Sequence, residues 1–173
     1  MTPAILLIAS QHMTPTCLDC THKDAIALAQ VVAHEARFDS WPDALGIYEV
    51  LYRTRAIIRA KSKGKGSLAY AANAYSGIAT GSKSPTSDLD SWSSELPRTT
   101  NREFWILVER AETLFRSPEV SPCLFSEPRH WGGPMDRPRA RRMGFQKIQC
   151  GATKNDFYIL PRARSKYTPK GNT

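Results

Sequence analysis

The chain has 173 residues, 41% of them hydrophobic and 23% charged, with a formal net charge of +8. That length supports one domain with a real core and not two comfortable ones, and the composition excludes disordered and fibrous chains. No apolar run approaches the roughly 20 residues that cross a bilayer, so no transmembrane segment is expected.

The positive charge predicts an anionic partner, because a field of that sign concentrates polyanions around the protein. Nucleic acid and the bacterial envelope both qualify. The basic runs "KSKGKG" (61 to 66), "RPRARR" (137 to 142) and "RARSKYTPKG" (162 to 171) read as loops.

At the N-terminus, "AILLIA" (4 to 9) is six residues long with no basic residue before it. It reads as a first strand or buried segment and makes a poor signal peptide. If the partner is the bacterial envelope, delivery by a phage virion or an injection apparatus is the corresponding expectation.

Four cysteines follow in unequal spacing. Cys17 and Cys20 form "CLDC", while Cys123 and Cys150 lie far off, so the paired CxxC spacing of a zinc ribbon is missing. A four-cysteine zinc site, one or two disulfides, and four unrelated thiols all remain open. No metal and no cofactor is assigned.

A first helix is expected from about Asp24 to Arg37, with Thr21 as N-cap and Asp24 three residues later as a variant capping box. Leu28, Val31 and Val32 fall on one face, and Glu35 takes the next place on it at i+7. After the short loop "FDSW", Pro42 opens a long second helix, where its missing N–H is harmless. Ala44, Ile47, Tyr48, Leu51 and Ile58 form its apolar stripe, widened by Val50 and Ile57. Gly46 inside that helix predicts another helix packed closely against it.

From 61 to 100 the chain is rich in Gly, Ser, Thr and Lys and reads as loop, apart from a short helix in "SLAYAANAYSG" (67 to 77). Thr100 and Glu103 are spaced as a capping box for a third helix, whose apolar face is Phe104, Leu107, Val108, Ala111 and Phe115. Beyond Pro118 the chain reads as irregular to about Gly144. Two strands, 145 to 150 and 156 to 160, close the domain, joined by a turn containing Gly and Asn. The fold class is α+β, mainly helical, with residues 1 to 160 as one domain and 161 to 173 as a basic, disordered tail.

Glu35 admits three readings. It can be a helix-end carboxylate paired with an arginine. It can belong to a metalloprotease HExxH helix, but that pattern requires histidine where Phe38 stands. Or it can be a general acid, since a glutamate backed by apolar side chains keeps its proton near neutral pH and can deliver it to a leaving oxygen.

The stretch "LAQVVAHEARFDSWPDALGIYEVLYRTRA" (28 to 56) resembles the signature of cell-wall hydrolases of the spore-cortex-lytic type, in which a helix ending in glutamate precedes a helix of the form GxxAVxxVxxNR. Leu51, Tyr52 and Arg53 stand where that family often has Leu-Asn-Arg, so Tyr52 departs from the pattern. "NAYSG" (73 to 77) resembles its aromatic-serine segment, and "ERAETLFRSPEVSPCLFSEPRHW" (109 to 131) its helix, turn and aromatic-histidine segment. "CGATKNDFYIL" (150 to 160) resembles its closing strand, with Asn155 and Asp156 where a histidine is common. The resemblance spans about residues 24 to 160. It implies a lysozyme-like fold that cuts the glycan strands of peptidoglycan with Glu35 as acid, and a sugar groove lined by Tyr75, Ser76, His130 and Tyr158. Trp131 would stack on a sugar ring or fill the core.

Glycosidases that hydrolyse need a second carboxylate. Asp39 and Asp43 sit at a helix start, where capping and the helix dipole explain them, and Asp88, Asp90 and Asp136 fall in polar loops. With one good carboxylate, lytic transglycosylase chemistry is the first expectation and a hydrolytic muramidase the second. A basic nucleic-acid-binding module with a CxxC metal site stands behind both, because the arginines read as loop residues and no helix shows a basic face.

Overall fold

In the computed structural model, residues 12–36, 40–76, 101–123 and 127–160 are described, except for the side chains of 73–76 and 101. The N-terminal segment 4 to 9, Phe38, Asp39, Asp88, Asp90, Thr100 and the tail 161 to 173 lie outside the described residues.

Helix α1 spans His22–Glu35 and begins where its cap dictates. The Thr21 backbone N–H donates to Asp24 Oδ2 at 2.8 Å, and the Asp24 N–H turns back to the Thr21 hydroxyl. Two of the amide donors that a helix start leaves unpaired are thereby satisfied. The buried Asp24 also accepts the Ala69 N–H at 2.7 Å, which fixes the start of α3 (Leu68–Ser76) against α1.

Helix α2 (Trp41–Lys61) carries Pro42 in its first turn, and helix α4 (Asn101–Arg116) follows after α3. Helix α1 packs on α3 and α4, and α2 packs on α3 and on the sheet. The expected stripes of α2 from Ala44 to Leu51 and of α4 from Phe104 to Phe115 are buried in one cluster with Leu28, Val31 and Val32. Burying side chains of this size stabilises by about 1.5–3 kcal/mol each before chain entropy is counted.

The stripe of α2 does not continue as expected. Ile57 is 45% exposed and Ile58 is only half-covered, by the turn at Gly66. Beyond Leu51 the inward position goes to Arg55, buried against the 17–20 segment.

From His130 on, the chain forms regular elements where irregularity was expected. Strand β1 (His130–Gly132), a 3-10 turn (Pro134–Asp136) and helix α5 (Arg137–Arg142) precede β2 (Gln146–Ile148) and β3 (Asp156–Ile159). Three-residue and six-residue elements are too short to show a period, and α5 buries Ala140 alone. The sheet is antiparallel in the order β1-β3-β2, so β3 is central. The two expected strands are thus present, and a third joins them.

Gly46 does meet a close neighbour, but the neighbour is not a helix. A Cβ at Gly46 would lie 2.5 Å from Phe157 Cζ on β3. Among the described residues no helix is long and apolar enough to cross a membrane.

Candidate functional site

Glu35 is the last residue of α1, and its surroundings come from the far end of the chain. A helix end leaves carbonyls without intrahelical partners. Here the Asn155 side-chain N–H₂ donates to the Glu35 carbonyl at 3.1 Å. Asn155 is held in turn by Asp43, whose Oδ1 accepts the Asn155 N–H at 2.8 Å and whose Oδ2 accepts the Lys154 N–H at 2.9 Å. Asp43 is fully buried and also accepts the Ser40 hydroxyl. Its role is therefore to clamp the β2–β3 turn, which corrects the reading of Asp43 as a residue explained by the helix start alone.

The Glu35 side chain is half-buried, and the Trp131 indole N–H donates to its Oε2 at 3.4 Å. Burial pushes the Glu35 pKa above the usual carboxylate value, the Trp131 hydrogen bond pulls the other way, and the negative charge of Asp136 adds to the rise. The result is a carboxyl group that retains its proton to higher pH than a free glutamate.

Strand alternation decides where the other expected residues face. Trp131, Phe157 and Ile148 pair across the sheet and are all buried, on the face turned to α2. His130, Tyr158 and Lys147 pair on the opposite face. Of the two readings of Trp131, stacking on a sugar ring or filling the core, this register and its burial give the second, and they separate it from His130 and Tyr158. Trp131 is 4% exposed and backs Glu35, leaving no open ring face for a sugar. Tyr158 is 3% exposed, and its hydroxyl reaches Asp156 Oδ2 at 3.5 Å, so it supports the outer face from beneath. His130 is half-buried, with its ring 5.8 Å from that of Tyr158 and 5.1 Å from that of Phe145. Tyr75 and Ser76 belong to α3, and their side chains lie outside the described residues.

Two acidic residues join His130 and Tyr158. Asp156 pairs with Arg137 and, at 2.5 Å, with Lys147. Burial works against its charged form, but these two hydrogen bonds prevail and hold its pKa below the usual value. Asp136 accepts the Gly133 N–H at 3.0 Å and lies over Gly132, where a Cβ would come within 2.8 Å of the Asp136 side chain. Its charge acts on Glu35, and on His130 it opposes a lowering caused chiefly by burial. The sequence left Asp136 unplaced. The adjacent Gly132-Gly133 pair, which lets the chain fold the aspartate back, is the signal that marks it.

The four cysteines form two disulfides, Cys17–Cys20 and Cys123–Cys150. A metal bound by "CLDC" would first require that bridge to open. Among the described residues no group of three or more His, Cys, Asp or Glu side chains is placed to hold a metal ion. The run 137 to 142 is helix α5, with Arg137, Arg139, Arg141 and Arg142 exposed, which corrects its reading as a loop and the statement that no helix carries a basic face. Comparison with protein-family models, curated proteins and solved structures finds no match for the chain.

Proposed function

We propose that the chain cleaves the glycan strands of peptidoglycan in a lysozyme-like fold, with Glu35 as general acid and base. The observation that carries this reading is the half-buried Glu35 at the end of α1, backed by Trp131 and shifted toward its protonated form. Such a group protonates a glycosidic oxygen as the bond to the sugar breaks. In the transglycosylase route the Glu35 carboxylate then takes the proton from the sugar's own 6-hydroxyl, whose oxygen closes on C1. The product is a 1,6-anhydro sugar, and no water is consumed.

A specific feature favours keeping the hydrolytic muramidase as the second reading. Asp136 places a second negative charge where it acts on Glu35, and a hydrolase needs a second carboxylate to activate water or stabilise the developing cation. The two routes differ in product mass by one water. Mass spectrometry of muropeptides after digestion of purified walls therefore tests both: anhydro ends support transglycosylation and reducing ends support hydrolysis. Intact glycan strands from a folded protein overturn the proposal.

A further inference from the structure

The N-terminal bridge sits in a different environment from its counterpart. Cys123 is fully buried and its bridge to Cys150 joins positions 27 residues apart, while Cys17 and Cys20 enclose only Leu18 and Asp19. Cys17 is 2% exposed, and Cys20 is half-buried.

A cation lies against this short bridge. Arg55, buried on α2, brings Nη1 to 2.8 Å from Cys17 Sγ and 3.8 Å from Cys20 Sγ. Its Nη2 pairs with Asp19 Oδ2 at 2.6 Å, and Arg59 Nη2 reaches the same oxygen at 2.7 Å. Two guanidinium groups thus share one carboxylate, whose other oxygen Oδ1 lies 3.7 Å from Cys17 Sγ, and this Arg55–Asp19–Arg59 cluster carries one net positive charge. The Arg55 hydrogen bond holds the Asp19 carboxyl down at about 2, with burial opposing it and Arg59 adding to the lowering. Cys20 also directly precedes Thr21, the N-cap of α1, but that helix start is already capped by the buried Asp24 carboxylate, so Arg55 is the cation that faces the bridge. Thiolates are stabilised by adjacent cations.

We propose that Cys17–Cys20 is a thiol-exchange site for a small dithiol, with Cys20 as the sulfur attacked and Cys17 as the leaving thiolate held by Arg55. In the first step a thiolate of the dithiol bonds to Cys20 Sγ, the Cys17–Cys20 bond breaks, and its electron pair leaves on Cys17 Sγ beside Arg55. In the second step the dithiol's other sulfur attacks its own partner in the mixed disulfide, closing the dithiol's ring and releasing Cys20. Two electrons pass from the dithiol to the bridge, one of its protons goes to Cys20 and the other to solvent. A leaving thiolate stabilised in this way both leaves faster and favours the open form at equilibrium. The inference is independent of the reading of Glu35.

The test is equilibration of the intact protein with graded ratios of reduced to oxidised dithiothreitol, followed by alkylation and peptide mass spectrometry. The expected result is that Cys17 and Cys20 become alkylated at a ratio at least tenfold lower than Cys123 and Cys150. Arg55→Gln should move the Cys17–Cys20 midpoint at least tenfold toward more reductant, and Asp19→Asn, at a side chain 55% exposed, should move it the other way. Both bridges opening together overturns the proposal, as does an unmoved midpoint in folded Arg55→Gln. If Arg55→Gln does not fold, Asp19→Asn decides, and an unchanged midpoint there overturns it equally.

Discussion

Trp131 and Glu35 are 96 residues apart in the chain, yet the indole N–H of one meets the carboxyl oxygen of the other at the edge of the sheet. The contact holds the carboxyl in place and also limits the rise of its pKa, because a donor to the charged form favours that form. Replacing Trp131 with Phe keeps an apolar backing and removes the donor. The pKa of Glu35 should then rise further, and the alkaline limb of the activity profile should move to higher pH. A pH–rate profile on solubilised glycan checks this, and a limb moved to lower pH refutes it.

Glu35→Gln should keep the fold and lower cleavage by at least about a hundredfold, the usual contribution of a positioned acid. The same variant carries a stability signature. Because the folded-state pKa of Glu35 lies above its unfolded value, the protonated form is favoured by the fold. That contribution is present in full below the unfolded pKa and is lost as pH rises through the folded one. Glutamine stays neutral throughout, so the melting temperature of Glu35→Gln should gain on that of the parent between acid and neutral pH. Parallel melting curves across that range count against a desolvated Glu35.

Much of the helical frame is readable because α1, α2 and α4 are long enough to display a period. Thr21 and Asp24 announce the start of α1 through their own hydrogen bonds. The sheet side of the site is less legible. Strand β1 is three residues long, and whether Trp131 or His130 turns inward depends on its register with Phe157 and Tyr158, which no local pattern encodes. Asp43 shows the same limit: an acid at a helix start looks like a cap until the turn it binds arrives 111 residues later.

Gly46→Ala should destabilise the protein although alanine is the better helix former. The added methyl would lie 2.5 Å and 2.6 Å from two ring carbons of Phe157, which is 1% exposed and has no room to withdraw. Overpacking of this kind costs about 1–3 kcal/mol, against about 1 kcal/mol gained in propensity. A net loss of up to about 2 kcal/mol in urea unfolding is expected, and a more stable variant contradicts the packing described.

Removing Cys123–Cys150 by Cys123→Ala should cost more than removing Cys17–Cys20. Closing the longer loop is worth about 3.5 kcal/mol in the chain-entropy picture, and the four-residue loop about 2 kcal/mol. Chemical unfolding of Cys123→Ala and Cys17→Ala measures the difference. Equal losses would show that the entropy of the open chain does not set the contribution of either bridge.

Salt should weaken capture of wall fragments more than it slows bond cleavage. The exposed arginines of α5 act over distances that physiological salt screens beyond about 8 Å, whereas the proton transfer proposed for Glu35 is local. Arg141→Gln with Arg142→Gln should therefore flatten the rise of KM with ionic strength and leave kcat within about twofold. An unchanged salt slope would remove α5 from the capture surface.

The hydrogen bonds that the Lys154 and Asn155 N–H groups donate to Asp43, and that the Asn155 side chain donates to the carbonyl of Glu35, have a consequence for anyone reshaping this protein. A mutant library confined to side chains around the carboxyl of Glu35 would leave out Asp43, which holds the turn that carries Asn155 to the end of α1. Asp43 is fully enclosed, so a screen restricted to accessible positions would pass it over as well. Paired changes at 43 and 155 act on the end of α1 without altering the Glu35 side chain itself.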